Sequence, residues 1–484
     1  MAQSSAPAAP PSTLERFFKI RERGSSVGTE IRGGLTTFIV MAYILVVNPV
    51  ILSVNTQGAG PDFVATATMT ALAAGVLTLL MGLWANYPFA LASGLGLNAF
   101  VAFDLILGRK MPWQAAMGVV FLEGIIITIL VLTGFRSAVL AAFPTSIKRA
   151  IGVGIGVFIL FIGLVNAGFV RVPVESIPIA NGVATGQPAT PVTLGNLSGY
   201  PVLLSVLGLA LAALLTARRV RGALLIAIVA TTVVAFVVHS VTGADISNAP
   251  GVQGGLPTSF PPPSFATFGA GVSGALQVFT VLPMLTALLV IFSIMLSDFF
   301  DTFGTMFGLA EQANLLDQRD NLPGSEQVLL VDGMGAAVGG ALSASSVTMY
   351  IESGAGIAEG ARTGLASVVT GMLFLLCIGL APLTYVVPAE ATAPALIIVG
   401  FYMTGVLREI NFADFTEGFP ALLAIAVMPL TFSITNGVGA AVVAYAFVKM
   451  VAGRGREVHW LLWLVAVAFL LYFALPALRG WVGA

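Results

Sequence analysis

The sequence predicts an all-α polytopic membrane protein made of two inverted repeats. Three observations carry that expectation. The 484 residues are 57% hydrophobic and only 9% charged, where soluble domains carry roughly 25% charged residues. Mean hydropathy is +0.99, and apolar runs of about 17 to 25 residues follow one another, the length that crosses a hydrocarbon layer of about 30 Å. Short glycine-broken segments also recur at matched places in the two halves. A transmembrane β-barrel would show short alternating segments instead.

The opening "MAQSSAPAAPPST" is small and polar and reads as a disordered tail. No cleaved signal is expected, because the first apolar run has spanning length and lacks a small-residue cleavage site. About fifteen apolar runs follow, at 34–54, 61–85, 94–107, 112–134, 147–170, 200–217, 221–243, 275–310, 328–342, 348–360, 363–387, 394–407, 418–434, 437–452 and 458–478. Runs 94–107, 328–342 and 348–360 are too short for ordinary spanning helices. The stretch 418–478 holds three runs, one of them a candidate re-entrant segment. Two longer loops, 171–199 and 244–274, are polar and rich in Gly, Pro and Asn.

Basic residues set the expected orientation. Arg16, Lys19, Arg21, Arg23 and Arg32 precede the first span. Arg136, Lys148 and Arg149 follow the fourth, Arg218, Arg219 and Arg221 the sixth, and Arg408 the twelfth. All fall on one side if the N-terminus is cytoplasmic; Arg109 and Lys110 depart from the pattern. A net charge of −1 offers nothing to nucleic acid. The single cysteine, Cys377, excludes an intrachain disulfide. "GVGIGV", Gly152 to Val157, lies inside a span and reads as close helix packing rather than a phosphate loop. ATP-driven transport is therefore not expected, and neither a cofactor nor a metal site is.

The halves correspond. "GGLTTFIVMAYILVVNP" matches "LLVIFSIMLSDFFDTFG" about 252 residues later, and "ASGLGLNAF" matches "MYIESGAGI" about 257 residues later. Paired glycine-interrupted segments in two halves point to the binding site of an inverted-repeat transporter. About seven spans per repeat, an odd number, inverts the second.

Charge at membrane depth costs about 2.5 kcal/mol or more per residue, so intramembrane acids are the best functional clues. They are Asp104, Glu123, Asp298, Asp301, Asp332, Glu352 and Glu359. Asp298 and Asp301 share a helical face at i,i+3. They either serve a ligand or brace broken helices. Glu352 precedes "SGAG", where glycines let the chain leave helical geometry and a helix starting near Ser353 turns its positive end to the same place. It either binds a ligand's N–H groups or satisfies its own helix end. Asn98 offers both donor and acceptor, or acts as helix glue. Gly94 and Gly96 permit close backbone approach. Glu359 and Arg362, three apart, are expected to pair. Asp332 reads as a brace. Glu123 must find a partner or be protonated. His239 and His459 sit near span ends, so proton coupling would need a carboxylate.

"ASGLGLNAF", "SDFFDTFGT", "ESGAGIAEGARTGLASVV" and "SITNGVG" together resemble the AzgA-like purine permease branch of the nucleobase–cation symporter-2 family, over about Arg32 to Trp481. The resemblance implies a uracil-transporter-like fold of fourteen helices in two inverted repeats of seven, with helices 3 and 10 broken by short antiparallel strands. It implies a cytoplasmic tail over 1–30, a core domain over 31–135 and 271–390, and a gate domain over 136–270 and 391–484. It implies proton-coupled uptake of hypoxanthine, guanine or adenine across the cytoplasmic membrane, and a homodimer through the gate. Substrate contacts would come from Asn98, Gly96, Asp298, Glu352 and Ser353. Asp301 and Asp332, with Asp298 and Glu352, would support the site or carry the proton. Glu rather than Gln at 352 favours purines without extra oxo groups. Phe100, Phe299, Phe303 and Tyr350 are candidate stacking partners for the base. An anion exchanger on the same fold and a channel are the competing readings. The acidic motifs and the absence of a repeated filter motif weigh against them, and no nucleophile–base pair suggests an enzyme.

Overall fold

The computed structural model describes residues 12–482, apart from 55, 57, 135–141, 172, 174–178, 181–182, 185–190, 247–260 and 319–321. Most of the expected disordered tail lies outside the described residues. Its last two residues open a helix instead. Ser12 caps α1 (Thr13–Phe18) through a reciprocal capping box with Glu15, which satisfies two otherwise unpaired backbone donors. Phe18 and Ile20 then bury beside Leu365.

The first span is α2 (Val27–Met41). It is interrupted at Ala42 and Tyr43, then runs on through Ile44–Pro49 and Val50–Val54. Pro49 lies inside this path, and a proline removes a ladder hydrogen bond. α3 (Phe63–Leu80) starts on an Asp62 cap. Strand β1 (Leu91–Ser93) follows, and α4 (Leu95–Ala99) continues as wider helical turns to Gly108. Then come α5 (Trp113–Leu132), α6 (Thr145–Asn166), α7 (Tyr200–Ala217) and α8 (Ala223–Thr242).

The second half holds α9 (Ala270–Val281), α10 (Met284–Gln312) and α11 (Ser325–Leu342). Strand β2 (Val347–Met349) leads into α12 (Ser353–Ala358), then α13 (Gly364–Leu376) and α14 (Ala389–Met403). α15 (Phe415–Thr431) and α16 (Ile434–Val451) form a tight hairpin, and α17 (Trp460–Val482) follows. Among the described residues, ten helical stretches are long and apolar enough to cross a membrane. The short runs 94–107 and 348–360 are the two broken segments. Some leucines face outward, with Leu276 83% and Leu430 78% exposed, as a lipid-facing surface allows.

The helices pack in two groups. α2, α3, α5 and α9–α13 form one; α6–α8 and α14–α17 form the other. Within the first, α5 and α11 approach backbone to backbone: a Cβ on Gly124 would lie 2.0 Å from the Ala337 nitrogen. α10 touches α6, α16 and α17 across the divide. Another crossing is polar. Arg109 pairs with Asp104 at 2.7 Å, and Ser433, between α15 and α16, donates to the other oxygen of Asp104. That pairing explains why Arg109 departs from the charge pattern: it neutralises a local acid.

Candidate functional site

The two broken segments meet. β1 and β2 pair antiparallel with Leu91 opposite Met349, Ala92 opposite Thr348 and Ser93 opposite Val347. Main-chain bonds from Tyr350 to Ala90 and from Gly94 to Ser346 extend the pairing. All six strand residues are buried. Each strand leads straight into a short helix, so the matched spacing in the sequence becomes a pseudo-symmetric crossing.

Buried polar side chains pin this crossing. The Asn48 amide donates to Thr70 and Ser93 hydroxyls and to the Ala344 carbonyl. Asp332 accepts from Thr302 (2.6 Å), Thr348 (3.0 Å) and the Met349 N–H (3.2 Å). The Tyr350 hydroxyl donates to the Ser93 carbonyl. Ser353 Oγ accepts from the Ala90 N–H at 2.9 Å. Asp332 thus fits the brace expected of it. Tyr350 and Ser353 are tied to the opposite strand.

Among the described buried side chains beside the crossing, the Ser345 and Ser346 hydroxyls and three larger polar groups meet no hydrogen-bond partner. Asn98 on α4, Asp298 on α10 and Glu123 on α5 are each fully buried. Both amide atoms of Asn98 and all four carboxyl oxygens of the acids lack a hydrogen-bonding protein group. Such groups are rare in native folds and call for a function.

Glu352 caps the start of α12 without a side-chain bond to its own helix end, so that structural alternative is not what holds it. Instead Tyr43, at the interruption of the first span, donates to Glu352 Oε1 at 2.7 Å. Glu352, Tyr43 and Asp301 line a cavity of about 1160 Å³ between the two helix groups. Phe300 and Phe303 line it from α10, and Lys148, Arg149, Arg219 and Arg221 line it from the other group. Asp298 sits one helical turn from Asp301, behind this cavity wall.

The remaining site expectations fall as follows. Phe100 and Phe299 are fully buried, and of the candidate stacking residues only Phe303 lines the cavity. Gly96 faces the other helix group, where an added Cβ would lie 2.4 Å from Ile155 Cγ2. The expected Glu359–Arg362 pair is not formed. Glu359 pairs with Arg221 on the neighbouring group, while Arg362 donates to the carbonyls of Ile357 and Ala361. The local turn ends at Gly360, with φ of 103°, and redirects the chain so that the two side chains diverge. Sequence reasoning missed Tyr43, Asn48 and Glu30. Glu30 is fully buried and accepts from the Arg362 and Thr363 N–H groups at the start of α13. The signal for Glu30 and Asn48 was present: each is a polar residue beside or within an apolar run.

The chain matches known proteins over most of its length. The model described as "Permease family" matches residues 28–440. The adenine permease AdeP of Escherichia coli strain K12 is 38% identical over 462 residues, covering 95% of this chain and 95% of its own. The guanine/hypoxanthine permease PbuG of Bacillus subtilis strain 168 is 38% identical over 465 residues, covering 95% of this chain and 99% of its own. The transmembrane domain of a cyanobacterium bicarbonate transporter, BicA, superposes with a TM-score of 0.59 at 18% identity, over 86% of this chain and 97% of that one. At that identity the likeness shows the fold alone, and it bears out the expected polytopic helical fold. These relatives are permeases, not enzymes. The chain belongs to this permease family, the nucleobase–cation symporter-2 family that its motifs resemble.

Proposed function

We propose that the protein is a proton-coupled symporter that imports purine nucleobases such as adenine, guanine and hypoxanthine across the cytoplasmic membrane. The observation that carries this reading is the set of unsatisfied buried groups at the strand crossing, Asn98 and Asp298, next to the half-buried Glu352. A purine offers ring N–H and exocyclic amino donors beside ring acceptors. Carboxylates would take the donors through charge-assisted bonds, and the Asn98 amide would supply both kinds of partner. The permeases named above for adenine, guanine and hypoxanthine support the substrate class. Glu352, Asp298, Asn98 and Ser353 form the proposed binding set, with Asp301 and Asp332 in support and Gly96 giving close helix approach against Ile155 beside it. Phe303 and Phe300 are the aromatic faces best placed beside the cavity.

The two helix groups act as core and gate. The core covers 31–135 and 271–390, the gate 136–270 and 391–484, and the gate joins two copies in a homodimer. The basic residues lining the cavity, Lys148 and Arg149 at the start of α6 and Arg219 and Arg221 between α7 and α8, lie at the span ends that the charge pattern assigns to the cytoplasm. The cavity is then the inward-facing vestibule, and the N-terminus is cytoplasmic.

The test is uptake in proteoliposomes of labelled adenine, guanine, hypoxanthine, xanthine and uracil, with and without an inward proton gradient. Purine uptake stimulated by the gradient is expected. Uracil-only uptake sinks the substrate assignment, and uptake indifferent to the gradient sinks the coupling. Glu352→Gln and Asp298→Asn should each weaken purine binding by about tenfold or more, the scale of one charged hydrogen bond. Normal guanine binding by both variants would remove the site assignment.

A further inference from the structure

The α5 acid has no place in the purine site, yet it is as deeply buried as any residue in the protein. Glu123 and Asp298 are both at 0% exposure, on helices that pack together. Neither carboxyl meets a donor among the described residues; each meets the other, as direct side-chain neighbours. A carboxylate is acceptor-only. With both ionised, neither would have a partner and two like charges would face each other in an apolar shell. With one proton between them, both are satisfied, the arrangement of a carboxyl dyad.

The surroundings offer no other remedy. From α11 the pair is faced by Asp332, and from α10 by Asp301. Asp332 is itself engaged by Thr302, Thr348 and Met349. α9, which also packs on α5, carries no titratable residue. The acid of the α4 segment, Asp104, is held by Arg109 and Ser433. Among the described residues, no Lys, Arg or His side chain hydrogen-bonds to either carboxyl of the pair. The backbone contact at Gly124, beside Glu123, holds α5 tightly against α11.

We propose that Glu123 and Asp298 share a single proton that is loaded together with the purine, making Glu123 the positioning residue for coupling. This rests on the transport reading above. With the proton on Glu123, its O–H donates to one Asp298 oxygen, and the other oxygen is free to accept a purine N–H. Removing the proton leaves facing carboxylates without a counter-cation, which disfavours the loaded site. Proton and purine therefore enter and leave as a pair, and Glu123 never touches the substrate.

The test is Glu123→Gln in proteoliposomes. Gln keeps a donor toward Asp298 but has no proton to release. Purine binding and purine exchange at equal pH should stay within about threefold of wild type, while gradient-driven accumulation falls by about tenfold or more, the effect of one pKa unit of coupling. Its exchange rate should also lose its pH dependence. Gradient-driven accumulation and a pH profile equal to wild type overturn the proposal. A wild type that exchanges purines without responding to the gradient overturns the coupled reading, and this inference with it; a wild type that moves no purine overturns the substrate reading. If Glu123→Gln does not fold, infrared titration of the wild type decides. A protonated-carboxyl band that grows when adenine is added at neutral pH is expected, and a spectrum that adenine leaves unchanged refutes the jointly loaded proton.

Discussion

Tyr43 and Glu352, on opposite halves of the chain, are joined by a hydrogen bond of 2.7 Å between hydroxyl and carboxylate. The bond ties the interruption in the first span to the break before α12, at the inner wall of the cavity. Tyr43→Phe removes the donor and keeps the ring. A hydrogen bond to a charged group is worth about 1.5–3 kcal/mol, and Glu352 would lose its orientation. Purine affinity should fall about tenfold with folding intact. Calorimetric titration with adenine checks this, and unchanged affinity would reduce Tyr43 to a packing residue.

Asp332 should matter to stability before transport. Asp332→Ala strands the Met349 N–H and one of the Thr302 and Thr348 hydroxyls, the other donating across the 3.1 Å between them, and each unpaired buried donor costs about 1–3 kcal/mol. The melting temperature in detergent should drop sharply, and Asp332→Asn, which keeps an acceptor, should recover part of the loss. Equal melting curves for all three proteins would contradict the brace.

Gly96 meets Ile155 across the boundary between the helix groups. If that boundary moves during transport, Gly96→Ala should slow uptake several-fold while leaving equilibrium binding close to wild type. Shortening the partner, Ile155→Ala, should restore the rate in the double variant. Failure of that rescue would mean that the contact is not the obstacle.

A pH-sensitive clamp lies outside the spans. Arg454 bridges Asp414 and Glu457. Hydrogen bonds from Thr416 and Arg454 hold the Asp414 pKa at about 2, below its ordinary 3.8. Bonds from Arg454 and Lys449 hold Glu457 at about 2, below 4.5. Depressed acids stabilise the fold fully above their unfolded values and lose that contribution as pH falls through the folded values. The difference in melting temperature between wild type and Arg454→Gln should therefore be constant from neutral pH to about 5 and close between about 4 and 2. A difference that grows on acidification would reverse the sign argued here.

Much of the architecture was legible in the chain. Span length, the matched glycine-broken segments and the helix start at Ser353 are local properties, set by apolar run length and by glycine's backbone freedom. The offset of about 257 residues paired the two broken segments, and the family resemblance implied the antiparallel strands that cross there. The pairings were not legible. Spacing suggested Glu359 with Arg362, whereas the fold gives Glu359 to Arg221. Tyr43 carries no local signal beyond being an aromatic in an apolar run. Glu123 was an acid in need of a partner, and only the packing of α5 on α10 brought Asp298 to it.

The sequence by itself determined that this chain spans a membrane, that its halves repeat, and which acids are too costly to be incidental. The tertiary structure decided which of those acids meet each other and which meet a cavity. The reason is physical: helix formation and membrane length are read within about 20 residues, but a buried carboxyl's partner is chosen by helices packing across hundreds of residues.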